Sequence, residues 1–464
     1  MNMETIIEIN GSIIRTVPAI HYRAVFAREV NQICSCEETR PDAIAVELGP
    51  HMVREITAWM KELGIGTSRD IMLPCMLGIL VKNRLIHPDF REAAMNLQKH
   101  FVKPLNNIPP VLKKQLLHYS DEYLIGLSPT DSLIEAIRCA IELNIPVYGV
   151  DMDEFSIKPG NRLLIEEPSV SSFNLTQYVL RYGVMASMVR DPYVDGRREL
   201  VMAARLKCIA GIHKRILFTG GLAHWEMIKM LMKDSSVRPA DFLIPDLSLN
   251  CLRVIVHPRM AVTFMDSYPV ITTIYERNRH NPAATDAHIF PLPETDRLYL
   301  DIIWKVYTEY SGNGKTDPSE SKKGSEILRF ADFMRLVDNM QLVHQRSAPP
   351  MADLLDSSRL MMPTGFSGLL ISELMNIGRP WASPEQFPDI PLICQIPNKS
   401  EGGDIKIPFD LFELTDCGKN KWILLNINYH GDLHMIMMIY ILMICLLILC
   451  FTGMQPDAVP LRLT

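Results

Sequence analysis

Three side chains that can bind a metal ion or transfer protons follow apolar segments of the sequence. Glu47 closes the segment DAIAVEL, and His21 and His224 each stand just after another apolar run. A single ionised glutamate inside an apolar core is strongly unfavourable unless a cation pairs with it. Two imidazoles and one carboxylate form a common ligand set for a catalytic divalent metal ion that keeps one position open for water. These residue types predict a shared site that binds a divalent metal ion through His21, Glu47 and His224.

The elements that must bring these side chains together are β-strands that alternate with helices. Apolar runs predict a hairpin around Asn10-Gly11 and further strands at 42–48, 145–153 and 215–221. Helices are predicted at 51–63, 71–144 with interruptions, 173–190 and 193–213. Such alternation indicates the α/β class, with a mostly parallel central sheet flanked by helices.

Every predicted strand has a polar group at its carboxyl end. In chain order these groups are His21, Glu47, Asp151 with Asp153, and His224. Ligands of parallel sheets bind at the carboxyl ends of the strands. Gly220 and Gly221 also allow the sharp backbone turn that places His224 at this edge of the sheet. The four polar exits therefore predict one ligand site.

The order of these motifs resembles that of the TraB or pheromone-shutdown family. This family belongs to a wider group with the erythromycin esterases, the ChaN-like proteins and the Tiki metalloproteases. The resemblance rests on the segments PDAIAVELGP, VYGVDMD, RDPYVDGRREL and ILFTGGLAHWEMI, and it covers about residues 5–233. The first motif departs from the family pattern, since Pro18-Ala-Ile-His21 stands where Gly-x-x-His is usual. Proline fixes φ and lacks a backbone donor, so the turn before His21 must be built differently.

The resemblance implies an α/β domain over residues 1–240 and a set of site residues. The site residues that it implies are His21, Glu47 and His224, with Arg190 nearby.

The predicted activity is divalent-metal-dependent hydrolysis of a peptide or ester bond. The ion would activate water, Glu47 or a second carboxylate such as Asp151 would take its proton, and Arg190 would stabilise the oxyanion. No Gly-x-Ser-x-Gly elbow occurs in the sequence, so a serine-hydrolase route has no support. The alternative is a non-catalytic regulator or signal-binding protein that keeps the fold. In that case a Glu47–Arg190 ion pair would only tie a helix to the sheet.

Composition excludes some classes of partner. A formal net charge of −6 provides no basic excess to neutralise phosphates, so no nucleic-acid binding is expected. The one basic cluster, Arg197-Arg198, is predicted to lie on a solvated helix face. The ten cysteines include no CxxC pair, which argues against a zinc knuckle.

The C-terminal half carries weaker signals. Residues 241–430 are predicted to be a mainly helical region of unknown role, with a solvated linker near 311–325. Residues 435–454 form a run of 20 residues without a charge, long enough to span the hydrocarbon core of a bilayer. Lys419 and Lys421 precede this run, so the positive-inside rule predicts a cytosolic N-terminal part attached to the membrane by its C-terminus.

Overall fold

The chain of 464 residues is described from a computed structural model. The described residues are 5–68, 71–73, 76–82, 123–153, 175–188, 190, 192–238, 250–256, 268–279, 295–312, 320–344, 348–349, 351–375, 392–395 and 422–425. Their strands are β1 (Ile6–Ile9), β2 (Ser12–Ala19), β3 (Ala43–Val46), β4 (Leu77–Lys82), β5 (Tyr123–Leu127), β6 (Val147–Gly149), β7 (Arg215–Gly221), β8 (Asn250–Val256), β9 (Leu392–Gln395) and β10 (Trp422–Leu425). Their helices are α1 (Ala24–Ser35), α2 (Pro50–Glu62), α3 (Ser132–Leu143), α4 (Leu175–Met188), α5 (Pro192–Ala210), α6 (Leu222–Lys233), α7 (Pro269–Asn278), α8 (Thr295–Gly312), α9 (Glu320–His344), α10 (Met351–Met361) and α11 (Thr364–Leu374).

The predicted central sheet is confirmed as a five-stranded, mostly parallel sheet. Its strand order is β1-β2-β7-β3-β6. The hairpin of β1 and β2 is antiparallel, and its turn residues Asn10 and Gly11 have φ values of 54° and 75°. Strand β7 pairs in parallel with β2 and β3, and β3 pairs in parallel with β6. The carboxyl ends of these four strands therefore lie along one edge of the sheet.

Helices cover both faces of this sheet, which explains why β3 is apolar throughout. Ile44 and Val46 pack into one hydrophobic cluster, to which α1, α2 and α3 contribute. Ala43 and Ala45 point to the other face and pack into a second cluster with α5 and α6. A parallel strand buried on both faces is expected to be apolar at every position.

The predicted helices over 71–144 are wrong in part. This segment contains β4 and β5, which pair antiparallel, and only α3 is helical among its described residues. Strand β4 also pairs with β8, and β8 pairs in parallel with β9. The apolar run LGILVK is as compatible with a buried strand as with a helix, because periodicity does not distinguish the two over so short a length.

The C-terminal half is mainly helical in its described part, from α7 to α11. Its buried residues share one hydrophobic cluster with α1, α2 and α3, and the division predicted at residue 240 stays a prediction. Of the predicted linker 311–325, residues 311–312 end α8, residues 320–325 begin α9, and residues 313–319 lie outside the described residues.

The chain divides into two compact units, one of Met1–Cys394 with Pro408–Ile423 and one of Gln395–Ile407 with Leu424–Thr464. The predicted membrane span at 435–454 lies outside the described residues. Within the described part of the chain, no helix is both long and apolar enough to cross a membrane.

Candidate functional site

Glu47 lies where the carboxyl ends of β3 and β7 meet. Its backbone N–H donates to the carbonyl of Thr219 at 3.0 Å, which continues the pairing of the two strands. Its carboxylate Oε2 accepts the backbone N–H of Gly221 at 2.5 Å. A Cβ on Gly220 would lie 2.8 Å from the same Oε2, so a glycine is needed for this close approach.

Arg198 is the guanidinium that pairs with Glu47. Its Nη2 donates to Glu47 Oε1 at 2.8 Å and to Asp151 Oδ2 at 2.6 Å. Its Nε also reaches Asp151, and its Nη1 donates to Asp195 at 3.1 Å. The predicted solvated face is therefore wrong for Arg198, which is buried in α5 and points to the sheet edge.

Arg190 has a different partner from the one predicted. Its guanidinium binds Glu199 with two hydrogen bonds, of 2.6 Å from Nε and 2.5 Å from Nη2. The predicted Glu47–Arg190 pair is thus replaced by Glu47–Arg198 and Arg190–Glu199. Glu199 in turn accepts from His224, so Arg190 reaches the site through Glu199.

His224 lies in the first turn of α6, directly after the glycines that end β7. Its Nε2 is 3.5 Å from Glu47 Oε1, and its Nδ1 is 3.0 Å from Glu199 Oε1. A carboxylate on Nδ1 fixes the orientation of the ring and favours the tautomer with a lone pair on Nε2. Glu199 is fully buried, so this orientation is firmly held.

His21, which follows β2, likewise has its Nδ1 against a carboxylate. Its Nδ1 lies 3.3 Å from Oδ2 of Asp131, the residue that caps α3. Because Pro18 stands where a glycine is usual, the turn near His21 is built differently and is made at Tyr22. The φ of Tyr22 is 62°, which is unusual for a residue with a side chain. The backbone N–H of Tyr22 donates to Asp131 at 3.2 Å and stabilises that turn.

The charges of these groups shift one another's pKa. Burial alone would raise the pKa of Glu47, but His224, Arg198 and His21, together with the Gly221 N–H, lower it below its ordinary value. Burial would lower the pKa of His224, but the carboxylates of Glu47 and Glu199 raise it above its ordinary value. Glu47 is therefore an ionised carboxylate beside an imidazole that gains protons readily.

The two aspartates after β6 have separate tasks. Asp151 is buried and holds Arg198. The carboxylate of Asp153 accepts the backbone N–H groups of His51 and Met52 at the start of α2. Burial raises the pKa of Asp153 above its ordinary value, although these two N–H groups oppose the shift. Asp153 therefore caps a helix and does not share the Glu47 site.

The donor types at this site fit a divalent metal ion. The site combines two histidines whose Nδ1 atoms are bound by carboxylates with a further carboxylate, Glu47, and these donor types are frequent around zinc-like ions. The 3.5 Å between His224 Nε2 and Glu47 Oε1 is close to the separation of about 3.4 Å expected for two donors on one tetrahedral ion. In the described part of the chain, however, no three such side chains already converge on one point. Glu47 Oε1 is held by Arg198 instead.

Three residues of the site were missed in the sequence. Arg198, Glu199 and Asp131 each contact a predicted residue or one of its partners. The capping pattern Asp131-Ser132 before an apolar helix was visible, and it could have pointed to Asp131. Arg198 and Glu199 lie within the quoted segment DGRREL, but helical spacing alone does not show which side of α5 faces the sheet.

Comparisons with known proteins add no assignment. A scan against protein-family models gave no match, and searches of the curated proteins and of the solved structures gave none either.

Proposed function

We propose that the chain is a divalent-metal-dependent hydrolase of peptide or ester bonds, with His21, Glu47 and His224 as the metal-binding residues. The observation that carries this proposal is the pair of histidines that follow the neighbouring strands β2 and β7, one of which lies 3.5 Å from Glu47. Each has its Nδ1 against a buried carboxylate, Asp131 for one and Glu199 for the other. Such pairs orient an imidazole for metal binding or proton transfer.

A divalent ion supplies, when bound, Lewis-acid polarisation of the substrate and acidification of water. The chain's own residues have distinct tasks around it. Glu47, kept ionised by its lowered pKa, accepts a proton from water. His224, whose Nδ1 is held by Glu199, would present its Nε2 to the ion.

The two arginines and Asp151 position these groups in the proposed mechanism. Arg190 binds both oxygens of Glu199 through Nε and Nη2 and thereby holds His224, so we assign it a positioning task and not the oxyanion contact expected from the sequence. Both Asp151 oxygens accept from Arg198, so Asp151 holds the guanidinium and does not act as the base.

One observation favours the alternative of a non-catalytic regulator or signal-binding protein. Both Glu47 oxygens already have partners within the chain, Oε1 with Arg198 and Oε2 with the Gly221 N–H. An ion-pair network of this kind can serve only to join α5 to the sheet.

The test is hydrolysis of a panel of fluorogenic peptides and nitrophenyl esters by the purified full chain. We expect turnover that chelator abolishes and that added Zn²⁺ or Mn²⁺ restores. Glu47→Gln should lower kcat/KM by about 10²-fold or more, as expected for loss of a general base. Glu62→Gln, which changes an exposed glutamate paired with Arg253, should leave the rate unchanged. Hydrolysis that is equal in both variants would contradict the proposal.

A further inference from the structure

Arg198 pairs with three carboxylates, and its contact with Glu47 is one of five hydrogen bonds that it makes with them. Its Nε and Nη2 atoms make three hydrogen bonds with Asp151, of 3.2, 3.1 and 2.6 Å. Its Nη1 makes another with Asp195 at 3.1 Å. All four remain if the single bond to Glu47 is broken, so the guanidinium would stay paired in its buried position.

Glu47 likewise keeps its place without Arg198. Its Oε2 is anchored by the backbone N–H of Gly221 at 2.5 Å. Its Oε1 lies between Nη2 of Arg198 at 2.8 Å and Nε2 of His224 at 3.5 Å. This oxygen is the atom that a metal ion shared with His224 would have to use.

We infer that Arg198 is an internal cation that competes with a divalent metal ion for Oε1 of Glu47 and so sets the metal affinity of the site. This inference deepens the proposed function and rests on it. The guanidinium and the metal ion compete because they use the same oxygen and repel each other. Asp151 and Asp195 supply the position to which Arg198 withdraws when a metal ion binds.

The experiment measures the affinity of the metal-free full chain for Zn²⁺ and, separately, Mn²⁺ by calorimetry and by competition with a chromogenic chelator. Three variants are compared with wild type. Arg198→Gln removes the competing charge and should bind metal at least about tenfold more tightly. Arg198→Lys keeps the charge but loses the guanidinium fork, so it should also bind more tightly than wild type.

Arg205→Gln is the matched control. Arg205 lies two turns further along α5 and donates to the Asp151 carbonyl at 2.5 Å. This change therefore removes a positive charge that binds the backbone of Asp151. Its metal affinity should stay within about threefold of wild type. Far-ultraviolet circular dichroism checks that each variant is folded, and Arg198→Lys decides the matter if Arg198→Gln does not fold.

Failure of the inference and failure of the proposed function give different results. Measurable metal binding by wild type that is equal or weaker in the folded Arg198 variants overturns the inference and leaves the metal site standing. Binding by Arg198→Gln but not by wild type supports the inference and refutes a metal-dependent activity of the natural chain. Absence of binding in every folded variant overturns both.

Discussion

At the scale of single residues, Glu47 is ionised in spite of its burial. His224, Arg198, His21 and one backbone N–H surround it and lower its pKa. A carboxyl group whose pKa is lowered on folding stabilises the fold above its unfolded pKa, and this stabilisation is lost as the pH falls through the folded pKa. Glu47 thus contributes to stability at neutral pH as well as to the proposed chemistry.

The Glu47→Ala variant tests this contribution. The change leaves Arg198 and His224 without one of their anionic partners in a buried place, and it should lower the free energy of unfolding by about 3 kcal/mol. Urea unfolding at neutral pH measures the difference. Glu62→Ala, which removes an exposed carboxylate, should cost less than about 1 kcal/mol. An equal cost in the two variants would show that the Glu47 network contributes no more than a surface pair.

The residue types at the strand ends predicted that His21, Glu47 and His224 follow strands whose carboxyl ends lie along one edge of the sheet. Their partners were not predictable in the same way. Asp131 caps α3, whereas Arg198 and Glu199 lie in α5, and their approach depends on how α3 and α5 pack on the sheet. Packing of this kind is a property of the folded chain and leaves no short-range signal in the sequence.

At the scale of elements, the turn between β3 and α2 depends on a glycine. A Cβ on Gly49 would lie 2.0 Å from Oδ1 of Asp153, the carboxylate that caps α2. Gly49→Ala must therefore displace Asp153 or the strand end. The loss of the cap and the strain together should cost about 2 kcal/mol or more.

Gly368→Ala is the matched control for this prediction. Gly368 lies in α11, and a Cβ there would meet nothing within 4 Å. Alanine should stabilise the helix at this position by about 0.5–1 kcal/mol. Thermal unfolding of both variants should therefore show opposite shifts of Tm. A fall of Tm in Gly368→Ala equal to that in Gly49→Ala would contradict this account of the turn.

A buried ionic network joins α3 to the segment around α7. Arg279 binds both oxygens of Glu135, and its Nη2 binds Glu142 at 2.8 Å. Burial would raise the pKa of Glu135, but Arg279 and other partners lower it below its ordinary value of 4.5. The pair therefore stabilises the fold above pH 4.5, and the stabilisation is lost as the pH falls through the folded pKa.

The Glu135→Gln variant should reveal this dependence. At neutral pH it should lower the free energy of unfolding by about 3–5 kcal/mol, because Arg279 is left in a buried site with fewer anionic partners. As the pH falls from 4.5 through the folded pKa, the difference from wild type should shrink, because the stabilisation by the ionised carboxylate is lost over that range. Glu373→Gln, at a surface pair with Lys305, should show neither effect. Chemical unfolding over a pH series measures both, and a difference that grows in acid would be inconsistent with a lowered pKa.

Elements were predicted best where their pattern was long or strongly bounded. Helix α4 falls within the predicted segment 173–190, and helix α5, Pro192–Ala210, begins one residue before the predicted segment 193–213. Strand β7 matches the predicted 215–221. Strands β4 and β5 were missed because they pair with strands that are distant in the chain. Strand β4 pairs with β5 and with β8, and such pairing gives no local pattern in the sequence.

At the scale of the whole molecule, the sequence predicts a boundary near residue 240, and buried residues from both sides of that position pack into one hydrophobic cluster. The sequence alone does not show which of the later helices pack against α1, α2 and α3.

The predicted membrane attachment through 435–454 stays a prediction. Truncation after Leu433 should move the protein from the membrane fraction to the soluble fraction of lysed cells, because the removed run is uncharged and of bilayer length. Full-length protein that is already soluble without detergent would rule the attachment out.

The central claim is that His21, Glu47 and His224 form a divalent metal site, and metal analysis of purified protein tests it most directly. Wild type, His224→Ala and His213→Ala should be purified without chelator, and their metal content should be measured by inductively coupled plasma mass spectrometry. His213 is the control, since it precedes β7 and its Nε2 lies 2.9 Å from the Tyr148 hydroxyl. We predict about one divalent ion per chain in wild type and in His213→Ala, and loss of most of it in His224→Ala. No divalent metal in wild type, or equal metal in all three proteins, would contradict the claim.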